Sequence, residues 1–234
     1  MKEIVLLSGG LDSATCLALA VEQEGAKNVI ALNMYYGQKH KKEIECARKI
    51  ADYYKVRYIE MDLSPVMAYS DCSLLEHSKK NIAHSTYEQQ TKEANGKPVE
   101  TYVPFRNGLF LSAAASVALS IGAEKIIYGA HADDAAGAAY PDCSLAFVRN
   151  MNSAIIEGSA GQVCIEAPFV SVNKAGVVKE GLRLGVPYEY TWSCYEGGDK
   201  PCGKCGTCID RQRAFEANGK EDPIYDLLKE QTRD

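Results

Sequence analysis

A run of small and hydroxyl-bearing residues near the start of the chain has the composition of a phosphate-binding loop. Ser8–Ser13 (Ser-Gly-Gly-Leu-Asp-Ser) follows a short apolar stretch and precedes a helical pattern. Two glycines let the backbone approach an anion closely, and free N–H groups at a helix start hold phosphate oxygens. The run lacks the Gly-Lys-Ser/Thr ending of a Walker A loop and the three-glycine spacing of the dinucleotide fold. An ordinary turn followed by a helix cap is the alternative.

Four cysteines further along the chain have the number and spacing of a metal site. Cys202, Cys205 and Cys208 fall in one short stretch, and Cys194 precedes them by a short loop. Four thiolates close a tetrahedral structural zinc site, and an iron–sulfur cluster is the main alternative. Unligated thiols this close together would be prone to oxidation, which favours a bound metal, and a closed knuckle of four cysteines favours zinc over the cluster. Three other cysteines sit in apolar patterns typical of core positions: Cys16, Cys46 and Cys164.

Three groups of polar residues in the middle of the chain are weak signals when taken alone. Arg106 could hold a carboxylate or phosphate with its forked guanidinium, although a lone arginine is more often part of a surface ion pair. The acids after His131 directly follow a predicted strand, where they could bind metal or form a solvated loop. Tyr140 begins a Tyr-Pro-Asp-Cys run shortly afterwards.

These residues must be positioned by strands and helices that alternate along the chain. Apolar runs predict strands at 4–7, 28–34, 57–62, 125–129 and 163–167, and helical periodicity predicts helices at 13–24, 40–54, 108–121, 145–157, 174–184, 209–217 and 223–229. This alternation indicates an α/β protein with a doubly wound parallel sheet, which places ligands at the carboxyl ends of its strands. The polar stretch at 81–98 predicts an exposed loop, of a kind that often covers active sites.

Composition and charge exclude several classes of function. The chain has 234 residues, is 46% hydrophobic and 24% charged, and carries a formal net charge of −5. These values are typical of a globular protein and exclude a collagen-like or disordered chain. A negative chain gains little from general electrostatics with a polyanion, so we expect no nucleic-acid partner. The sequence shows neither a membrane-spanning apolar run nor a signal peptide, so we expect a cytoplasmic protein without a membrane partner.

Taken together and in this order, the motifs are those of one family. Besides the loop at 8–13, they are Tyr-Gly-Gln-Lys-His at 36–40, Pro-x-Arg-Asn at 104–107, His-Ala-Asp-Asp at 131–134, Tyr-Pro-Asp-Cys at 140–143 and Cys-Gly-Lys-Cys-Gly-Thr-Cys at 202–208. The loop alone resembles the PP-loop of the N-type ATP pyrophosphatases. The whole set resembles the QueC family of queuosine biosynthesis, the 7-cyano-7-deazaguanine synthases, over residues 3 to 217. One departure is Phe105, where the family is expected to carry glycine and where a bulky side chain would narrow the pocket mouth.

The resemblance implies an ATP-dependent ligase that converts 7-carboxy-7-deazaguanine and ammonia to the nitrile through adenylated acid and amide intermediates. It implies a sheet of the adenine nucleotide alpha-hydrolase-like (PP-loop) type over residues 1–190 and a zinc-binding segment with helices over 191–234. ATP with Mg²⁺ would be the co-substrate, and structural Zn²⁺ would be held by the four cysteines. Nothing in the sequence resembles a glutaminase, so we expect free ammonium as the nitrogen donor. A homodimer is implied as well.

The resemblance also implies a role for each motif. The ATP-binding residues would be Leu7, Ser8, Gly9, Gly10, Leu11, Asp12, Ser13, Ala14, Thr15, Cys16 and Leu17, with Asp12 near the magnesium. The catalytic residues would be Asp12, Ser13, Lys39, Arg106 and Asp133. The substrate would be bound by Arg106, Asn107, His131, Asp134, Tyr140 and Asp142, and the zinc by Cys194, Cys202, Cys205 and Cys208. The acids in these sets would bind metal or the guanine-like edge of the base, since a carboxylate matches its N–H pair.

Two other interpretations stay open at this point. Another PP-loop adenylating enzyme, such as a relative that attaches the deazapurine to a protein or a tRNA-modifying enzyme, would share the loop. A sulfur-inserting tRNA enzyme would need a basic surface, which the net charge of −5 disfavours. A zinc-knuckle module that grips nucleic acid without catalysis is disfavoured by the same charge and by the phosphate loop.

Overall fold

A parallel sheet of five strands forms the centre of the molecule. The structure is a computed structural model and describes residues 1–225. Its strands are β1 (Glu3–Leu6), β2 (Val29–Tyr35), β3 (Arg57–Asp62), β4 (Lys125–Ile127) and β5 (Cys164–Glu166). They lie in the order β3-β2-β1-β4-β5, and each neighbouring pair is parallel. The predicted α/β fold with a parallel sheet is confirmed.

Helices connect the strands and cover both faces of the sheet. They are α1 (Leu11–Glu24), α2 (Lys42–Tyr54), α3 (Ser64–Met67), α4 (Tyr87–Ala94), α5 (Arg106–Ile121), α6 (Ala132–Ala135), α7 (Leu145–Gly158), α8 (Lys174–Leu184) and α9 (Gly206–Glu216). The helices α1, α2 and α8 pack on one face, α5 and α7 pack on the other, and α9 packs on α8. The order of the strands along the chain reverses between β1 and β4. The loops at the carboxyl ends of these two strands therefore run in opposite directions, and a crevice lies between them.

Alternating apolar side chains give the sheet its two buried faces. In β1, Val5 packs into the core beneath α1, whereas Ile4 packs into the core beneath α5, and both are fully buried. Successive side chains of a strand point to opposite faces, so a strand covered on both sides must be apolar throughout. Glu3 is the exception, because it is fully buried and its carboxylate lies 2.9 Å from Lys125 Nζ on β4.

The stretch at 81–98 differs from its prediction as a loop, because it contains α4. This helix is mostly polar and has no apolar stripe that the sequence could reveal. It begins with a capping box instead: Gln89 N donates to Thr86 Oγ1 at 3.2 Å, and Thr86 N donates to Gln89 Oε1 at 3.1 Å. The predicted helix at 223–229 falls largely outside the described residues.

Within residues 1–225, none of the helices combines the length and the apolar character needed to cross a lipid bilayer.

Candidate active site

A cavity of about 220 Å³ opens at the carboxyl ends of β1, β2 and β4. Its wall is built from distant parts of the chain: the loop at 8–13, the starts of α2, α5 and α8, the loop after β4, and the stretch from 192 to 210. Its lining contains seven acidic, basic or histidine residues: Asp12, Glu43, Arg106, His131, Asp134, Lys174 and Asp210. The crevice of the doubly wound sheet is therefore both charged and enclosed.

The loop at 8–13 is held in shape by its own hydroxyl groups. Ser13 Oγ donates to Gly10 O at 3.0 Å and lies 3.0 Å from Ser8 Oγ, and Gly10 N donates to Ser8 Oγ at 3.2 Å. Gly9 has a φ of +93°, and a Cβ there would collide with the carbonyl oxygen of Glu43 in α2. Only glycine therefore allows the loop to lie directly against α2.

A cluster of charged side chains surrounds Asp12 in the first turn of α1. Lys174 Nζ donates to Asp12 Oδ2 at 2.6 Å and lies 3.2 Å from His131 Nε2, which is 3.3 Å from Asp134 Oδ1. The other carboxylate oxygen, Asp12 Oδ1, is buried and has no hydrogen-bond donor among the described residues. Carboxylate oxygens are the ligands that Mg²⁺ prefers, so this oxygen fits a divalent cation bound beside the loop.

Asp12 and Lys174 stabilise each other's charged forms. Burial acts to raise the pKa of Asp12, but the charges of Lys174 and His131 lower it overall. Burial opposes the charge on Lys174, but Asp12 and Asp134 raise its pKa. Burial raises the pKa of Asp134. A protonated Lys174 and an ionised Asp12 are therefore the favoured states, which places one fixed positive charge next to the loop.

A second part of the cavity wall combines Arg106 with aromatic rings. The Arg106 guanidinium lies 5.1 Å from the centre of the Tyr36 ring and 5.8 Å from that of Phe110, and Nη1 donates to Tyr36 OH at 3.3 Å. Its Nε is buried without an acceptor in the described part of the chain. Glu43 lines the cavity beside this group. Burial raises the pKa of Glu43 to about 7, although the charge of Arg106 acts to lower it.

The four predicted metal ligands lie together. The Sγ atoms of Cys194, Cys202, Cys205 and Cys208 are all within 4.8 Å of one another. Sulfurs bound to zinc at about 2.3 Å in a tetrahedron lie about 3.8 Å apart, so these thiols can hold a metal ion. Cys202 N donates to Cys194 Sγ and Cys205 N donates to Cys202 Sγ, both at 3.3 Å. Cys205 also caps α9, whose positive end favours thiolates.

The stretch from Trp192 to Asp210, here called the cysteine segment, is hydrogen-bonded to the loop at 8–13, here called the phosphate-type loop. Trp192 N donates to Gly9 O at 2.9 Å. The segment also supplies one wall of the cavity: Trp192, Ser193, Tyr195, Thr207 and Asp210. The cysteine segment and the loop therefore line the same cavity. The boundary between two domains at residues 190 and 191 stays a prediction.

Comparison with known proteins decides the family. The model of a family described as "Queuosine biosynthesis protein QueC" matches residues 2–219. The chain belongs to the QueC family. A 7-cyano-7-deazaguanine synthase of Archaeoglobus fulgidus is 43% identical over 96% of this chain and 90% of the relative. That of Psychromonas ingrahamii is 40% identical over 95% of this chain and 96% of the relative. The predicted family is confirmed.

Solved structures with low sequence identity share the fold alone. The U34-tRNA thiolase NcsA of Methanococcus maripaludis, determined with its [4Fe-4S] cluster, aligns with a TM-score of 0.52 at 18% identity over 83% of this chain and 60% of its own. NMN synthetase of Francisella tularensis aligns with a TM-score of 0.51 at 15% identity over 94% of this chain and 78% of its own. Both likenesses agree with the parallel sheet of this QueC-family member.

Ten of the predicted site residues lie in the cavity wall. They are Leu7, Ser8, Gly10, Asp12, Ser13, Arg106, Asn107, His131, Asp134 and Tyr140. The other members of the predicted ATP-binding stretch are buried in the loop and the first turns of α1: Gly9, Leu11, Ala14, Thr15, Cys16 and Leu17. Their role there is to place the loop, and direct contact with a nucleotide stays a prediction.

Three predicted residues lie outside the cavity wall. Lys39 Nζ donates to Lys80 O at 2.7 Å. Asp133 Oδ2 accepts from the backbone N of Lys174 at 2.8 Å and so holds the start of α8. Asp142 is buried, and its Oδ2 accepts from Asn107 N at 2.9 Å at the start of α5. In this structure the two aspartates position other site residues.

Phe105 does not line the cavity. It is 57% exposed, its ring covers Gly108, and it meets the Phe147 ring edge-on at 6.0 Å. Its φ of +54° lies in the left-handed region, where glycine carries no steric cost. The backbone of this turn therefore explains why glycine suits the position, and the ring packs away from the cavity wall.

Sequence reasoning missed the charged residues that complete the site. Lys174 follows the helix-capping Asn173 at the end of the loop between β5 and α8, at the carboxyl edge of the sheet, which is the signal that could have revealed it. Glu43 and Asp210 sit in helices among many other charged residues, so nothing in their local sequence marks them. Their place in the cavity depends on how the helices pack.

Proposed function

We propose that this chain makes 7-cyano-7-deazaguanine from 7-carboxy-7-deazaguanine, ammonia and ATP, as a step of queuosine biosynthesis. Its membership in the QueC family supports this function, and the curated relatives carry the matching name. The observation that carries the proposal is the joining, in one cavity, of a phosphate-type loop with an arginine set among aromatic rings. The first part suits ATP and the second suits a flat heterocyclic acid.

The chemistry of the reaction requires two activations. A carboxylate is a poor electrophile because its leaving group would be oxide. Transfer of an adenylyl group from ATP to the carboxylate oxygen releases pyrophosphate, and ammonia can then displace AMP to give the amide. The amide oxygen is equally reluctant to leave, so a second adenylation allows loss of AMP and formation of the nitrile. Both activations need stabilisation of charge on the departing pyrophosphate.

The residues of the cavity supply this stabilisation. N–H groups and hydroxyls of the loop, including Ser8 and Ser13, bind the phosphates, and the charge of Lys174 lies beside them. Mg²⁺ bound with ATP neutralises phosphate charge, and Asp12 Oδ1 is the free oxygen that suits it. Arg106 holds the carboxylate of the substrate with its fork. Asp133 and Asp142 keep Lys174 and Asn107 in place.

The metal of the cysteine cluster is proposed to be structural zinc. A set of four thiolates, three of them from buried cysteines, fills a tetrahedral zinc site and leaves no open position of the kind that a catalytic zinc keeps. Metal analysis of the purified protein checks this proposal: about one zinc per chain supports it, and stoichiometric iron with sulfide contradicts it.

We propose a cytoplasmic homodimer. The location is supported by the cysteines, because none of the nine is in a disulfide bond in residues 1–225, and unpaired cysteines outside a metal site persist as thiols in a reducing compartment. The dimer is supported by the family resemblance, and light scattering on the purified protein measures the mass directly.

The deciding experiment uses the purified protein with ATP, Mg²⁺, ammonium and 7-carboxy-7-deazaguanine. Mass spectrometry identifies the heterocyclic product, and chromatography separates AMP from ADP. We expect the nitrile together with two AMP and two pyrophosphate per product molecule. Omission of ammonium should leave formation of the adenylated acid intact.

Two results would contradict the proposal. Formation of ADP and inorganic phosphate would place the cleavage of ATP at the wrong phosphorus. Recovery of the heterocyclic acid unchanged, or its transfer to a protein or an RNA added to the mixture, would point to another PP-loop activity.

A further inference from the structure

Glu43 is a half-buried residue that lines the cavity. Glu43 lies in the first turn of α2, and its carbonyl oxygen is the atom that a Cβ at Gly9 would strike. Its backbone is therefore fixed against the phosphate-type loop, and the residue borders the space that a ligand would fill. Hydrogen bonds that a ligand donates to a carboxylate in such a position stabilise the complex.

The other carboxylates of the site are already engaged. Asp12 accepts from Lys174, Asp134 lies against His131, and Asp142 accepts from the backbone of Asn107. Asp210 lines the cavity as well, but the lysine whose charge acts on it is Lys174, in the phosphate part of the site. Glu43 is thus the carboxylate left for the part of the wall around Arg106.

Arg106 and Glu43 present complementary functions to one ligand edge. Arg106 has spare donors, since its Nη1 contacts Tyr36 OH and its Nε has no acceptor in residues 1–225. Arg106 and Glu43 line the same cavity, and the charge of Arg106 acts to lower the pKa of Glu43. Tyr36 and Phe110, whose ring centres are 5.8 Å apart, stand beside them and offer apolar contact to a flat ring.

The polar groups of a 7-carboxy-7-deazaguanine follow one another around its ring. The 7-carboxylate is next to the 6-oxo group, which is next to N1–H, which is next to the 2-amino group. An arginine fork matches two adjacent acceptors, as it does on guanine, and a carboxylate matches two adjacent donors. An arginine and a glutamate on one cavity wall therefore match these polar groups in the order in which they occur around the ring.

We propose that Glu43 reads the base by accepting hydrogen bonds from N1–H and the 2-amino group, while Arg106 holds the adjacent 6-oxo and 7-carboxylate oxygens. This inference rests on the proposed function and adds the residue that selects a 2-amino base. Glu43 is a specificity residue here, because it touches the base at a distance from the bonds that change.

The test combines a variant with a substrate analogue. Binding of 7-carboxy-7-deazaguanine, and of the analogue without the 2-amino group, is measured by calorimetry in the absence of ATP for the wild type and Glu43→Gln. We expect the wild type to prefer the amino compound by about 10–100-fold, and we expect Glu43→Gln to lose most of that preference. Glu45→Gln, an exposed glutamate of the same helix, is the matched control and should keep the wild-type preference.

Three results would overturn the inference. One is equal binding of the two compounds by the wild type, which needs no variant to fold. Another is an unchanged preference in a folded Glu43→Gln, and the third is a loss of preference in Glu45→Gln as well. Because nitrile formation by the wild type is measured separately, failure of this inference is distinguishable from failure of the proposed function.

Discussion

The oxygen atoms of Asp12 have different environments, and this difference defines the role of the residue. Oδ2 receives a hydrogen bond from Lys174, whereas Oδ1 is buried without a donor in the described chain. A single carboxylate can thus bind a lysine and a divalent cation at once. At the residue scale, the proposed mechanism gives this aspartate two partners, the charge of Lys174 and the Mg²⁺ that would be bound with ATP.

Replacing Asp12 by Asn tests this role. The amide keeps the shape but removes the charge, so we expect formation of AMP and pyrophosphate to fall by about 100-fold or more, which corresponds to about 3 kcal/mol of lost transition-state stabilisation. The measurement is pyrophosphate exchange into ATP in the presence of the heterocyclic acid. Asp52→Asn, an exposed aspartate in α2, is the control and should behave as the wild type. Exchange at the wild-type rate in a folded Asp12→Asn would remove the residue from the mechanism.

Sequence alone predicts residues whose neighbours in the chain carry the signal. Ser8, Asp12 and Cys205 belong to short motifs whose residue types and spacing alone indicate phosphate or metal binding. Lys174 and Glu43 become part of the site only through the packing of α8 and α2 around the sheet. Asp142 shows the opposite case, because its motif is conspicuous and yet its carboxylate is used to hold the start of α5.

At the scale of elements, the placement of the loop depends on its contact with α2. Gly9 leaves no space for a Cβ, since the carbonyl of Glu43 occupies that position. The periodicity of the sequence predicts both elements, but it contains no information about how closely they approach. The strand–helix alternation likewise predicts the sheet, whereas the polar α4 is missed because its signal lies in two capping side chains.

Gly9→Ala should displace the loop from α2. We expect a loss of stability of about 2–5 kcal/mol, the sum of overpacking and left-handed strain, together with loss of ATP binding. Gly96→Ala is the control, because Gly96 has a φ of +79° and open space around it. That variant should lose only about 1–2 kcal/mol and keep its affinity for ATP. Denaturant unfolding and calorimetry separate the two effects, and equal losses in both variants would contradict the packing argument.

Phe105→Gly tests whether the side chain at this turn affects the substrate. Glycine relieves the left-handed φ but removes the edge-on contact with Phe147, and each effect is about 1 kcal/mol. We therefore expect the melting temperature to change by only a few degrees and the KM for the heterocyclic acid to stay within about twofold. A large fall in KM would show that the ring narrows the entrance after all.

At the scale of the whole molecule, the metal segment and the sheet form a continuous structure. Arg211 of α9 is buried and pairs with Asp222 at 2.7 Å, and it also donates to Tyr188 O at 3.0 Å. Trp192 connects the same segment to the loop. The sequence suggests a separate zinc-binding appendage, but the packing makes that appendage one side of the cavity. Composition does not predict this connection between the metal segment and the sheet, because the connection depends on contacts between distant residues.

Removal of the metal should therefore weaken nucleotide binding. We expect Cys205→Ser to lose its metal, to melt at a lower temperature and to bind ATP at least about 10-fold more weakly, because metal binding and local folding are coupled. Cys164→Ser, a thiol on β5 outside the cluster, is the control and should keep all three properties. Metal content, melting and calorimetry are measured on both. Full ATP affinity in a metal-free Cys205→Ser would show that the segment and the loop are independent.

The hydrogen bond from Trp192 to Gly9 has a practical consequence for anyone who prepares this protein. Loss of the ion during purification would disturb the cysteines and the start of α9, whereas the sheet and the other helices contain no cysteine of the cluster, so the far-ultraviolet spectrum would change little. A batch without the ion would be unfit for assays, because the structural change would extend to the loop at 8–13, the proposed binding site of the ATP phosphates.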